Sequence, residues 1–317
     1  MFSKSACPII ANSVQAVRQY LEVLRTGIST HRALTIRKNA AVLQSIFLNA
    51  LDFRRLEFKK GPVNESRIVE VEGLVNEVAI QMIFKLNDTT FQPMFAEFID
   101  WSADLPEKDA TGHIHRYVSL YSFLYAFFSQ LGRFVLKYAS FFEDHALRIL
   151  DQASPRELGD QRYLWELILR VFAKCFELDE DEDLGARHWT SRFSVVAPKL
   201  MEQFRYATHI ELSETLNPAI VELARAVSGS GALLKELNGY LLKQLRSEHA
   251  SVRLAAVRCE KMLAARLQME WVEMLPETLP FISELQDDDD EVVERETHAW
   301  IGVVEGVMGE SLDSMLQ

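Results

Sequence analysis

The chain has 317 residues, 48% of them hydrophobic and 25% charged, with a formal net charge of −12. That length and apolar content suffice for about two domains or one long array. The negative balance excludes a general nucleic-acid coat, which needs clustered Lys and Arg to displace counterions.

The N-terminal MFSKSACPII lacks the apolar core of a secretory signal. Val14, Val17, Leu21 and Leu24 then fall at helical spacing, with Gly27 as the expected stop. From Arg18 to Lys60 there are nine basic residues and three acidic ones, so this end is locally positive. Within it, LDFRRLEFKKG (Leu51 to Gly61) gathers Arg54, Arg55, Lys59 and Lys60 at a helix end. These four are the candidate contact for RNA or an acidic partner, although basic residues at a helix C-terminus also arise as plain dipole complements. Val71, Leu74, Val75, Val78, Met82, Ile83 and Leu86 draw the next apolar stripe. Phe91, Met94, Phe95, Phe98 and Ile99 draw a third, with Asp88 or Thr89 as N-cap and Pro93 near the first turn.

ADLPEKDATG (Ala103 to Gly112) reads as a polar connection, followed by one helical pattern from Tyr117 to Asp151. Its most apolar part, YVSLYSFLYAFFSQLG, has only 16 uncharged residues, short of the roughly 20 needed to span a membrane. It reads as a buried helix. Further helical patterns cover Glu157 to Leu178, Trp189 to Ala207, Glu214 to Val227, Leu233 to Arg246 and Val252 to Met269. ELDEDED (Glu177 to Asp183) reads as a mobile, solvated acidic loop, and SGSG (Ser228 to Gly231) as a flexible turn. No stretch alternates with period two for long enough to be a strand. The fold class is all-α.

A shift of 40 residues near the end lays LLKQLRSEHASVRLAAVRCEKMLA (Leu241 to Ala264) over FISELQDDDDEVVERETHAWIGVV (Phe281 to Val304). Leu241 meets Phe281, Leu245 meets Leu285, Val252 meets Val292, Cys259 meets Ala299 and Leu263 meets Val303. About 40 residues per helical pair is the HEAT period. Such pairs cannot bury their apolar faces alone, so they stack into an α-solenoid. The array is expected to be irregular in residues 1–155 and more regular in residues 156–317. The five acids from Asp287 to Glu291 occupy a turn and helix start, where free N–H groups and the dipole favour negative charge. They read as a solvated helix start rather than a dedicated cation site.

Stacked helical pairs offer surface rather than pockets, and the chemistry-bearing residues agree. His113 and His115 lack further ligands at zinc-like spacing and read as surface histidines. Cys7, Cys175 and Cys259 are odd in number and far apart, hence free thiols of a reducing compartment. Cys175 and Cys259 fall on apolar helix faces. SGSG lacks the spacing and preceding strand of a phosphate loop, and no nucleophile-elbow, zincin or dinucleotide motif occurs. Phe127, Phe128, Phe141 and Phe142 read as core. No catalytic, cofactor or metal residues emerge, and no small-molecule substrate or membrane contact is expected.

Several segments resemble a known family. FLNALDFRR (Phe47 to Arg55), KLNDTTFQPMFAEFIDWS (Lys85 to Ser102), SEHASVRLAAV (Ser247 to Val257), LPETLPFISELQDDDDEVVE (Leu275 to Glu294) and VMGESLDSML (Val307 to Leu316) are similar to the C-terminal region of the large HEAT-repeat protein of the small-subunit processome. This is the family of U3 small nucleolar RNA-associated protein ten and HEAT repeat-containing protein one. TTFQPMFAEFIDW is its most specific motif, since generic HEAT repeats lack it. The resemblance implies the C-terminal end of a much longer nucleolar scaffold that is not an enzyme. Its implied partners are other processome proteins, including β-propeller subunits, and the pre-rRNA and U3 snoRNA assembly. Its implied roles are 18S rRNA maturation and ribosomal DNA transcription. A HEAT adaptor of another class, a transport receptor or phosphatase scaffold, is the alternative; it predicts more uniform repeats than the aromatic-rich block from Phe91 to Phe142.

Overall fold

A computed structural model describes residues 14–61, 64–152, 155–156, 159–179, 188–313 and 315–316. Among them every regular element is helical, as the periodicity requires. The helices gather into two compact units. The first takes the described residues up to His145 together with Gly159–Leu167; the second takes the remainder.

The first unit is built from α1 (Val14–Thr30), α2 (Ala33–Lys38), α3 (Ala40–Leu51), α4 (Phe53–Phe58), α5 (Glu65–Ile83), α6 (Asp88–Ala103) and α7 (Ala110–Leu131). It also holds a 3-10 segment (Gly132–Tyr138) and the start of α8 (Ala139–Gln152) and of α9 (Asp160–Glu177). Helix α1 packs along α5, while α5 and α6 both pack on α7. Between them lies a cluster of rings. Phe95 sits 5.4 Å from Phe127, Phe91 edges onto Tyr138 at 5.0 Å, and Phe98 onto Phe123 at 4.9 Å. Such pairs add about 0.5–1.5 kcal/mol each beyond area burial. Phe127, Phe128 and Phe142 are fully buried, and Phe141 is half-buried at the rim.

Several local expectations differ. Helix α1 runs through Gly27 to Thr30 because Ile28 is buried and the chain end is capped from outside. The Lys85 ammonium donates to the carbonyls of Ile28, Ser29 (2.9 Å) and His31 (2.7 Å). Asn87, rather than Asp88 or Thr89, is the N-cap of α6, held extended while its side-chain oxygen accepts from the Thr90 hydroxyl at 2.6 Å. Pro93 is therefore the sixth helical residue, one residue deeper than an Asp88 cap would place it. The run from Tyr117 to Asp151 is not one helix. Gly132 adopts φ 63°, open to glycine at no steric cost, and the 3-10 segment separates α7 from α8. The polar connection shrinks to 104–109, with Ala110 to Gly112 forming the first turn of α7.

The second unit contains the ends of α8 and α9, then α10 (His188–Met201), a 3-10 turn (Glu202–Tyr206), α11 (Leu216–Ala226), α12 (Gly231–Leu245), α13 (Ala250–Leu267), α14 (Met269–Val272), α15 (Leu275–Leu285) and α16 (Glu291–Met308). Helix α13 is central here, packing against α11, α12 and α16. The pairs α12/α13 and α15/α16 are the two halves of the 40-residue alignment. Their stacking is visible in side-chain bonds made one period apart. Asn238 donates to the Thr278 hydroxyl at 3.2 Å, and Arg246 to Glu284 at 2.9 Å. Cys175 and Cys259 are buried, as helix faces of that character require.

Helix α13 ends at Leu267 because Gln268 takes φ 55°, the one positive φ outside glycine among the described residues. The break splits off α14 and brings the Trp271 indole onto Glu260, which accepts its N–H at 2.9 Å. Trp271 in turn edges onto Trp300 of α16 at 5.9 Å.

Candidate macromolecule-binding site

The stretch from Leu51 to Gly61 begins α4 where the chain turns sharply against α5 and α7, which draws Arg54 inward. Its guanidinium is 2% exposed, forks onto both oxygens of Glu72 at 2.8 Å and reaches Asp160 at 2.9 Å. Burial alone would lower its pKa, but the Glu72 hydrogen bonds and the charges of Glu72 and Asp160 more than offset that and hold it above the ordinary arginine value. The Ser119 hydroxyl also donates to Glu72 at 2.9 Å. His115 is buried in the same cluster, stacked on Phe58 at 4.3 Å with Nε2 3.1 Å from Asp160. It is thus no surface histidine, whereas His113 is half-exposed.

Arg55 faces its own neighbour Asp52, which Arg116 also binds at 2.8 Å. Burial pushes the Asp52 pKa up, but these two guanidinium groups outweigh it and leave the carboxyl below its ordinary range. Lys59 pairs with Asp109 at 2.9 Å and Lys60 with Glu57 at 2.5 Å. Asp109 can lie back over the start of α7 because Gly112 has no side chain: a Cβ there would sit 2.5 Å from its oxygen. Arg54, Arg55, Lys59 and Lys60 therefore do not line up as one positive edge. Each meets a carboxylate, and only the two lysines stand at the surface.

The acidic run is also more structured than a solvated helix start. Asp290 is a true N-cap, accepting from the backbone N–H groups of Val292 (2.9 Å) and Val293 (3.2 Å). Asp288 accepts from Nε and Nη2 of Arg253 in the preceding helical pair, at 2.7 and 2.6 Å. Asp287, Asp289 and Glu291 are exposed. In the other acidic stretch Asp179 is buried and accepts the Trp189 backbone N–H at 3.2 Å, so this member is not solvated. Residues 180–183 lie outside the described ones. Among the described residues no group of three or more His, Cys, Asp or Glu is placed to hold a metal ion, and no helix is long and apolar enough to cross a membrane.

Uncompensated positive charge sits elsewhere in the first unit. Helix α2 carries Arg32 at its N-cap and Arg37 and Lys38 in its last turn, all exposed. Arg37 Nε donates to the Lys85 carbonyl at 3.0 Å, which fixes α2 against the end of α5. None of Arg32, Arg37, Lys38 or Lys85 has a carboxylate within ion-pair distance among the described residues. Next to Lys85, Phe84 caps α5 with its ring 65% exposed. It lines a cleft of about 440 Å³ with Asn87, Asp88, Gln130, Leu131 and Phe134. Phe134, on the 3-10 segment, is 80% exposed and has the Arg133 guanidinium 5.9 Å above its ring. Sequence reading overlooked this surface. The signal was present in the dipeptide Phe84–Lys85 beyond the end of an apolar stripe, but the fold brings Phe134 beside it from 50 residues away.

Residues 35–183, which include this cleft, match the BP28CT (NUC211) domain family. Over 319 aligned residues the chain is 44% identical to U3 small nucleolar RNA-associated protein 10 of Chaetomium globosum, covering 99% of the chain. The chain belongs to this family. It is 45% identical to the protein of the same name from Pyricularia oryzae and 46% to that of Neurospora crassa, each over 95% of the chain. It spans 17–18% of the length of these family members.

Proposed function

We propose that the chain is a non-catalytic scaffold segment of the small-subunit processome, acting in the nucleolus in early pre-rRNA assembly, 18S rRNA maturation and ribosomal DNA transcription. The observation that carries this reading is the similarity across nearly the whole chain to proteins named for association with U3 small nucleolar RNA. The physical design agrees with it. Charged side chains join helices to one another, as in Arg54–Glu72 and Arg253–Asp288. Its partners under this reading are other processome proteins, β-propeller subunits among them, together with the pre-rRNA and U3 snoRNA assembly. A contact from the stretch at Leu51 to Gly61 falls to Lys59 and Lys60, since Arg54 is buried.

Affinity purification of the full-length protein tests the reading. Recovery of U3 snoRNA, pre-rRNA and processome proteins is expected. Recovery of transport cargo or phosphatase subunits in their place would reject it in favour of an adaptor of another class.

A further inference from the structure

We infer that the cleft lined by Phe84 and Phe134, together with the basic helix α2 tied to the residue after Phe84, is a seat for single-stranded RNA. The choice of RNA rests on the processome reading above; the geometry stands on its own.

Two phenylalanine rings line one cleft and are 65% and 80% exposed, while the rings Phe91, Phe95, Phe98, Phe127 and Phe128 behind them are buried. A ring left in water at this cost offers a flat apolar face. An unpaired base is the flat partner that fits it, and base-on-ring stacking is worth about 1–3 kcal/mol per base. Paired bases in a duplex keep their faces covered, so the surface selects single strands. Gln130, exposed beside the rings, adds an amide that can both donate to and accept from a base edge.

The backbone of such a strand needs cations, and α2 supplies them. Arg32, Arg37 and Lys38 stand exposed on α2, which Arg37 ties to the carbonyl of Lys85, the residue after Phe84. They carry no carboxylate partner among the described residues, in a chain of net charge −12 where Arg54, Arg55, Lys59 and Lys60 all do. The Arg133 guanidinium lies over the far ring, 5.9 Å from its centroid. The one carboxylate lining the cleft, Asp88, is neutralised by Lys137 and also accepts from the Tyr138 hydroxyl at 3.0 Å. Exposed cations beside exposed rings are the arrangement that tracks a strand while stacking its bases. An acidic peptide would use the same cations but leave the ring faces without a flat partner; protein anchors seek enclosed pockets instead.

The test is fluorescence anisotropy with the purified chain and three probes: a labelled 12-nucleotide oligouridine, a duplex RNA of equal length and an oligoglutamate peptide. Two double variants alter exposed side chains only: Phe84→Ala with Phe134→Ala, and Arg37→Glu with Lys38→Glu. The oligouridine is expected to bind more tightly than duplex or peptide. Loss of both rings should weaken it about thirty-fold or more, the minimum for two stacked bases. The charge reversals should weaken it and make the slope of log affinity against log salt shallower by about 1.4, at about 0.7 per phosphate on a single strand. Thermal melting checks that both variants remain folded. No oligouridine binding by the folded wild type, unchanged affinity in the ring variant, or tighter binding of the peptide would each overturn the inference. If U3 snoRNA is still recovered with the tagged full-length protein, that failure belongs to the cleft and not to the processome reading. Loss of U3 recovery with RNA binding intact at the cleft would sink the processome reading alone.

Discussion

Glu260 is fully buried on α13, with one oxygen accepting from Trp271 and the other without a partner among the described residues. Burial pushes its pKa from 4.5 up to about 7, the Trp271 hydrogen bond pulling the other way. Below pH 4.5 the carboxyl is neutral folded or unfolded and costs nothing. Between 4.5 and about 7 the unfolded chain releases the proton and the folded chain keeps it, so stability falls as pH rises; above about 7 the loss is complete. Each tenfold difference in proton affinity is worth about 1.36 kcal/mol, which gives a total of about 3 kcal/mol. Glu260→Gln keeps an acceptor for the indole and cannot ionise. Urea unfolding of both proteins across pH 4 to pH 8 reads the effect, because every other titration cancels in the difference. The variant should gain about 3 kcal/mol on the wild type over that range. Parallel profiles, within about 0.5 kcal/mol, would refute the argument that Glu260 is folded into the core as a neutral acid.

Glu72→Ala takes the two-point carboxylate from buried Arg54, leaving it Asp160 alone, and should cost about 3 kcal/mol in urea unfolding, the low end for breaking a buried pair; a loss below about 1 kcal/mol would mean the pair is open to water. Asp290→Ala removes the N-cap of α16 and should cost about 1 kcal/mol, whereas Asp287→Ala and Asp289→Ala should stay within about 0.5 kcal/mol. Equal effects at all three positions in thermal melts would return the acidic run to a uniform solvated block. A double-mutant cycle over Arg253 and Asp288 should give a coupling of about 0.5–3 kcal/mol. A coupling near zero would show that the two helical pairs are joined by apolar contact alone.

What could be read from sequence followed from period and composition. The 40-residue shift has a direct counterpart in Asn238–Thr278, a hydrogen bond between residues 40 apart. The helix at Tyr117 and the burial of Cys175 and Cys259 came from apolar spacing, which tertiary packing respects. The inward turn of Arg54 left no local trace, because Asp160, one of its partners, lies 106 residues away. His115 was misjudged for the same reason: Phe58 and Asp160 enclose it, and neither is near in sequence. Gly27 failed as a stop because Lys85, 57 residues beyond Ile28, supplies the cap. Asp288 was obscured by its neighbours, since five like charges in a row conceal which one Arg253 will choose. Partners distant along the chain were thus the information that periodicity does not hold.

Cys175 and Cys259 sit fully covered in the second unit. Burial keeps the Cys259 thiol well above its ordinary pKa, in its unreactive protonated form. Each is therefore a silent probe wired into the native chain. An alkylating reagent can mark it only during a breathing event that lifts its helix away. Mass-resolved labelling rates at the two sulfurs would chart how often this unit loosens, in the isolated chain or inside a larger particle, without changing a single residue.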